Sequence, residues 1–128
     1  MTVLEDVLAA ELVALLRAGA TPRAVRITVY EVVVERLGAG PLGPHEVSAT
    51  AAAAARVACQ LVRQRGAPEE VVETVCWAAL DAVRGHGGES ARWFGQATSA
   101  VFEVIDELAR ERRQEPAWGW LAGRLPRW

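Results

Sequence analysis

Residues 44–66 read PHEVSATAAAAARVACQLVRQRG. Five consecutive alanines, at 51–55, stand near the centre of this stretch, and alanine is the best helix former among the amino acids. Gly43 and Pro44 come at its start and Gly66 at its end, where proline and glycine are typical of helix boundaries. The stretch therefore predicts a helix. Because its small side chains let neighbouring helices come close, we expect it near the centre of a bundle.

Four further helices are predicted by similar boundary residues. Thr2 followed three residues later by Glu5 is a capping box. Gly19 ends the first helix, and Thr21 followed by Pro22 opens the second with proline at its first position. The predicted ranges are about 3–18, 22–37, 67–85 and 89–114.

The second predicted helix is rich in valine and isoleucine, which also favour β-strands. Its length is roughly twice that of an average strand. At 3.6 residues per turn, its charged residues also cluster on a limited part of the helix surface. These residues are Arg26, Glu31, Glu35 and Arg36. We therefore predict a helix here.

The whole chain has 128 residues, which fits one domain. Short connections between consecutive helices favour antiparallel neighbours. We predict an all-α fold, a compact antiparallel bundle of about five helices over 1–115. A Trp/Arg-rich C-terminal docking tail over 116–128 follows the bundle.

Three of the predicted helices share an apolar pattern at a spacing of 21 residues. The pattern is either an internal repeat or the chance alignment of amphipathic helices of similar length. Under both interpretations it marks one stripe of each helix as buried. The aligned sets are Ala51, Ala55, Ala58 and Val62; Val72, Cys76, Ala79 and Val83; and Trp93, Ala97, Ala100 and Val104.

Charge and composition favour some classes of protein over others. The formal net charge is −2 and the 14 cationic residues, all arginine, are scattered among 16 acids, so nucleic-acid binding is not expected. The absence of lysine and asparagine indicates a GC-rich bacterial genome. The N-terminus carries acids where a signal peptide carries bases. We expect a cytoplasmic protein.

No motif in the sequence supports a reaction. Di-iron bundles use Glu-x-x-His, and neither His45 nor His86 has a glutamate three residues earlier. Residues 38–43 match G-x-G-x-x-G, but the dinucleotide-binding motif needs flanking strands, and helix-ending glycines explain the match. We therefore predict no catalytic, cofactor-binding or metal-binding residue.

Two cysteines, Cys59 and Cys76, are equally far from a predicted turn at Gly66 and Ala67. A hairpin about that turn places them at the same level of the bundle. One interpretation is a pair of buried, inert thiols. The other is a redox-switchable disulfide, which requires Cα atoms within about 7 Å.

The C-terminal segment differs sharply from the rest of the chain, since three of the five tryptophans lie in its last 11 residues. Indole rings left in water are costly, because each buries on the order of 200 Å² when docked. They can dock on the chain's own bundle, on another chain or on a membrane or granule surface. The predicted partner-binding residues are Trp118, Trp120, Leu121, Arg124, Leu125, Arg127 and Trp128.

These features together predict a non-catalytic interaction protein, an adaptor or accessory subunit. It is expected to bind a protein partner or itself through the tail and the small-residue helix faces. A peripheral membrane or granule-surface protein is one alternative. An enzyme or ligand-binding bundle without a recognisable motif is another.

Overall fold

The computed structural model describes residues 3–38, 43–85 and 91–111. Over these ranges the chain forms five helices and no strand, as the sequence predicts. None of these helices is long and apolar enough to cross a membrane. The helices are α1 (Val3–Arg17), α2 (Pro22–Leu37), α3 (Pro44–Arg65), α4 (Glu70–Gly85) and α5 (Phe94–Glu111).

Several of the boundary residues used in the prediction form the caps of the helices in the structure. At the start of α2 the Thr21 hydroxyl accepts a hydrogen bond of 3.2 Å from a backbone N–H of the first turn. At the start of α3 the Glu46 carboxylate accepts one of 2.9 Å from the Gly43 N–H. Gly19 and Gly66, which follow α1 and α3, have φ angles of 70° and 67°. Glycine adopts this left-handed conformation without the cost that a Cβ atom brings.

A break near the start of the fifth helix is not predicted from the sequence. We expect one helix from about residue 89. Ala91 and Arg92 are helical, Trp93 is a turn residue, and α5 follows from Phe94. The Trp93 carbonyl accepts a hydrogen bond of 2.9 Å from the Ala97 N–H. The predicted cap at Thr2 and the predicted end of the fifth helix lie outside the described residues.

Consecutive helices run antiparallel, and the most extensive contacts join α3 to α5 and α2 to α4. Arg63 and Glu111, which are near the C-terminal ends of α3 and α5, form an ion pair of 2.7 Å, so these two helices run parallel. Arg26 of α2 pairs with Asp81 of α4, and Tyr30, one turn later, lies beside the C-terminal end of α4. Helices α2 and α4 are therefore also parallel.

Helix α3 lies at the centre of this arrangement, because it contacts each of the other four helices. Its alanines at 51–55 are all buried. A central helix with small side chains lets the surrounding helices approach closely. This confirms the prediction that the alanine-rich helix is central.

The apolar stripes predicted from the sequence are largely buried. All eight residues of the stripes on α3 and α4 are buried. On α5, Ala97 and Val104 are buried and Ala100 is half-buried, and Trp93, in the turn before α5, is also half-buried. The pattern thus locates the inward face fully on two helices and in part on the third.

Replacing Ala54 by leucine tests the close packing of α3. Because Ala54 is fully buried, the larger side chain has to displace its neighbours, and we expect a loss of about 1–3 kcal/mol of unfolding free energy. Urea denaturation followed by circular dichroism measures it. The control is Ala49→Leu, an exposed position of the same helix, for which we expect a change within about 0.5 kcal/mol. Equal losses in the two variants would contradict central packing by small residues.

Candidate functional site

Helix α2 carries apolar residues on two sides. Val25, Val29 and Val33 recur every four residues and are buried, so they attach the helix to the bundle. On another side, Ile27 and Tyr30 are 48% and 37% exposed. Large apolar side chains grouped on a surface are typical of contact sites.

These two residues belong to a mixed surface that runs along α2. Positions 23, 27, 31 and 35 recur every four residues and Tyr30 is three residues from Ile27, so all five lie on one side of the helix. All five are exposed. We call this set the α2 face: Arg23, Ile27, Tyr30, Glu31 and Glu35.

An ion pair between Arg26 and Asp81 joins α2 to α4, and Arg84 of α4 binds the same carboxylate. One Asp81 oxygen accepts a hydrogen bond of 3.0 Å from Arg26, and the other accepts one of 2.8 Å from Arg84. The Tyr30 hydroxyl lies 3.1 Å from where a Cβ atom on Gly85 would stand, so the glycine leaves room for the tyrosine. The α2 face is therefore presented by a helix held at several points.

An open groove of about 790 Å³ lies between the two helices, beside the α2 face. Ile27 and Tyr30 line it from α2, and Ala78 and Asp81 line it from α4. A side chain from another molecule can enter this groove next to the exposed isoleucine and tyrosine. The combination of a groove and a neighbouring apolar pair is suited to binding a protein surface.

A second groove of about 640 Å³ lies between α1, α2 and α3, and we call it the α1–α3 groove. Apolar residues and charged residues of both signs line it together. Val7 at its edge is 42% exposed. The lining comprises Leu4, Glu5, Val7, Val32, Glu35, Arg36, His45, Glu46, Ala49, Thr50, Ala53 and Arg56.

Two carboxylates of the α1–α3 groove already have partners. Glu5 is buried, with 8% of its surface exposed, and lies 3.7 Å from Arg56. Glu46 binds the Gly43 N–H, and its hydrogen bonds with the backbone lower the pKa of its carboxyl group. Both therefore take part in holding the fold.

Both cysteines are buried, and both are free thiols. Burial raises the pKa of the Cys59 thiol to about 11. Burial also raises the pKa of Cys76 well above its ordinary value, and the neighbouring Cys59 adds to this effect. The thiolate is the reactive form of cysteine, so both thiols are poor nucleophiles in the folded chain. Their oxidation to a disulfide stays a prediction.

The residues predicted to bind a partner, from Trp118 to Trp128, lie outside the described residues, and so does His86. The other histidine, His45, is exposed on α3. Over 3–38, 43–85 and 91–111, no three or more His, Cys, Asp or Glu side chains gather as metal ligands do.

The α2 face is not among the sequence predictions. The valine-rich stretch raised only the choice between helix and strand, and its exposed side was not predicted as a surface. The signal was nevertheless there, because Ile27 and Tyr30 fall outside the four-residue spacing of Val25, Val29 and Val33. Apolar residues on two sides of a helix indicate two contacts.

No family model, no curated protein and no solved structure matches the chain.

Proposed function

We propose that this chain is a non-catalytic interaction protein, an adaptor or accessory subunit, which binds a protein partner or a second copy of itself. The observation that carries the proposal is the α2 face, where Ile27 and Tyr30 are exposed beside an open groove. Tyrosine and arginine are enriched at protein interfaces, and this face has one of each. The alanines at 51–55 are buried by the chain's own helices, so the contact falls to other surfaces.

The C-terminal tail is the second contact element of the proposed function. It follows Glu111, which an ion pair with Arg63 holds against α3. Its tryptophans and arginines are the residue types that supply most of the binding energy at protein interfaces. The tail is thus a docking segment joined to a rigid bundle.

The compartment proposed for this function is the bacterial cytoplasm. Its support is the arginine-only cation content and two free thiols in the core. Free thiols suit a reducing compartment.

Removing the tryptophans of the tail tests the proposed function. The variant Trp118→Ser/Trp120→Ser/Trp128→Ser is expected to lose a partner that the unchanged chain retains, because the aromatic anchors are gone. Affinity capture from the native host, followed by calorimetry with the purified partner, measures the loss. The matched control is Arg112→Ser/Arg113→Ser/Gln114→Ser, which changes three neighbouring residues outside the predicted contact set and is expected to keep the partner.

Two outcomes would count against this function. One is a chain that captures no partner through its tail and also stays monomeric at high concentration. The other is tail-dependent flotation with liposomes in the absence of any protein partner, which would favour a peripheral membrane protein.

A second candidate function, small-ligand binding, is favoured by the α1–α3 groove. Its volume of about 640 Å³ and its mixture of apolar and charged lining are usual for ligand sites. A thermal-shift screen with small anions and cations tests it, with Ala49→Trp as the variant that fills the groove. Two results would count against this candidate. One is a ligand that stabilises the unchanged chain and Ala49→Trp equally, and the other is a screen in which no ligand stabilises the unchanged chain.

A further inference from the structure

The charges of the α2 face are ordered along the helix. Arg23 is near the N-terminal end, Ile27 and Tyr30 are in the middle, and Glu31 and Glu35 follow towards the C-terminal end. At 1.5 Å per residue, Arg23 lies about 8 Å before the midpoint of the apolar pair and Glu35 about 10 Å after it. The face is therefore basic at one end, apolar at the centre and acidic at the other end.

The three charged members of this face are available to another molecule. In the part of the chain that the structure describes, no ion pair joins Arg23, Glu31 or Glu35 to another residue. The nearby Arg26 differs, because Asp81 holds it at 3.0 Å. The ion pairs within the chain thus leave the ends of the α2 face open.

From this order of charges we infer that the α2 face binds the same face of a second copy, with the two α2 helices antiparallel. A twofold axis at the centre of the face brings Ile27 and Tyr30 of the two copies together. The same axis sets Arg23 of each copy opposite Glu35 of the other, with Glu31 alongside. This inference rests on the proposed interaction function and identifies one partner as the chain itself.

Self-complementarity is what favours a second copy over a different protein. A twofold interface uses one patch on both subunits, so each group has to meet its complement on the same patch. The α2 face meets this condition only in the antiparallel arrangement. A parallel arrangement sets Arg23 against Arg23 and Glu35 against Glu35, and like charges at close range are unfavourable.

The groove beside the face adds to the contact. It extends from Ile27 and Tyr30 of α2 to Ala78 of α4, so a side chain of the second copy that passes α2 reaches α4. A single helix pair is smaller than a standard interface, which buries about 800 Å² on each partner. The dimer is accordingly a reversible one, and its population rises with protein concentration.

A charge-swap series on the full chain tests this inference. Arg23→Glu and Glu35→Arg each set like charges against each other twice per dimer, and each is expected to weaken dimerisation about tenfold. The double variant Arg23→Glu/Glu35→Arg restores opposite charges and is expected to dimerise like the unchanged chain. Sedimentation equilibrium measures the dissociation constants, and circular dichroism verifies that each variant is folded.

The matched control is Arg17→Glu, which changes the net charge equally at an exposed position on α1 outside the α2 face. Weaker dimers in both single variants together with recovery in the double variant support the inference. A monomeric unchanged chain overturns it, as does a dimer on which the single variants act no more strongly than Arg17→Glu. In either case, capture of a partner through the tail still tests the proposed function separately.

Discussion

Raising the pH from 9 to 11 is expected to lower the free energy of unfolding by about 2 kcal/mol through Cys59 alone. Burial in the bundle raises the pKa of this thiol from 9.0 to about 11. The pKa of Cys76 is also raised well above 9.0 by burial and by its neighbour Cys59. Cys76 therefore adds to the loss in the same direction.

The sign of this effect follows from where the protons are held. Below pH 9 the thiols are protonated in both the folded and the unfolded chain, so the stability they contribute is fully present. Between pH 9 and about 11 the unfolded chain releases protons that the folded chain retains, and proton release then favours unfolding. The contribution of Cys59 is lost as the pH rises through its folded pKa.

This chain is well suited to such a measurement, because it has no lysine and only one tyrosine, Tyr30. Arginine stays protonated over the whole range. Urea denaturation at stepped pH, with a reductant present and in a Tyr30→Phe background, isolates the two thiols. The control Cys59→Ala/Cys76→Ala in the same background is expected to depend much less on pH. Parallel losses in the two proteins would show that the cysteines are not the cause.

Local rules were enough to predict the helices. A capping threonine, a proline in the first turn and a glycine after the last turn each act within a few residues. They predict the start of α2 at Pro22 and the end of α3 before Gly66 correctly. They do not indicate the turn at Trp93, which separates the helical residues Ala91 and Arg92 from α5.

The arrangement of the helices depends on contacts distant in sequence, and the prediction reached only part of it. Short connections predict antiparallel neighbours, and consecutive helices do run antiparallel. The extensive parallel contact between α2 and α4, which Arg26 and Asp81 reinforce, joins residues 55 positions apart. No local pattern indicates it.

For the candidate site, residue types could be predicted from the sequence, but the exposure of each side chain could not. The cysteines were correctly placed as possible buried thiols, since their spacing from the turn is visible in the chain. The α2 face was missed because exposure depends on which side of α2 the other helices cover. Ile27 and Val29 look equally apolar in sequence, yet one is 48% exposed and the other is fully buried.

The leucines of α1 show the same limit. The helical spacing of Leu4, Val7, Leu8, Leu12, Leu15 and Leu16 makes them all candidates for the core. In the structure Leu4, Leu8 and Leu12 are buried, Leu15 and Leu16 are half-buried and Val7 is 42% exposed. The sequence pattern therefore cannot tell which of two leucines one turn apart is more buried, whereas the structure shows it directly.

Replacing Leu12 by alanine tests this ranking. Leu12 is fully buried, so the change removes buried apolar surface and leaves a cavity, with an expected loss of about 2–5 kcal/mol of unfolding free energy. Leu16→Ala makes the same chemical change one turn later in the same helix. Because Leu16 is only half-buried, we expect it to lose no more than about half as much. Urea denaturation of both variants measures the difference, and equal losses would contradict the position of α1 against α2 and α3.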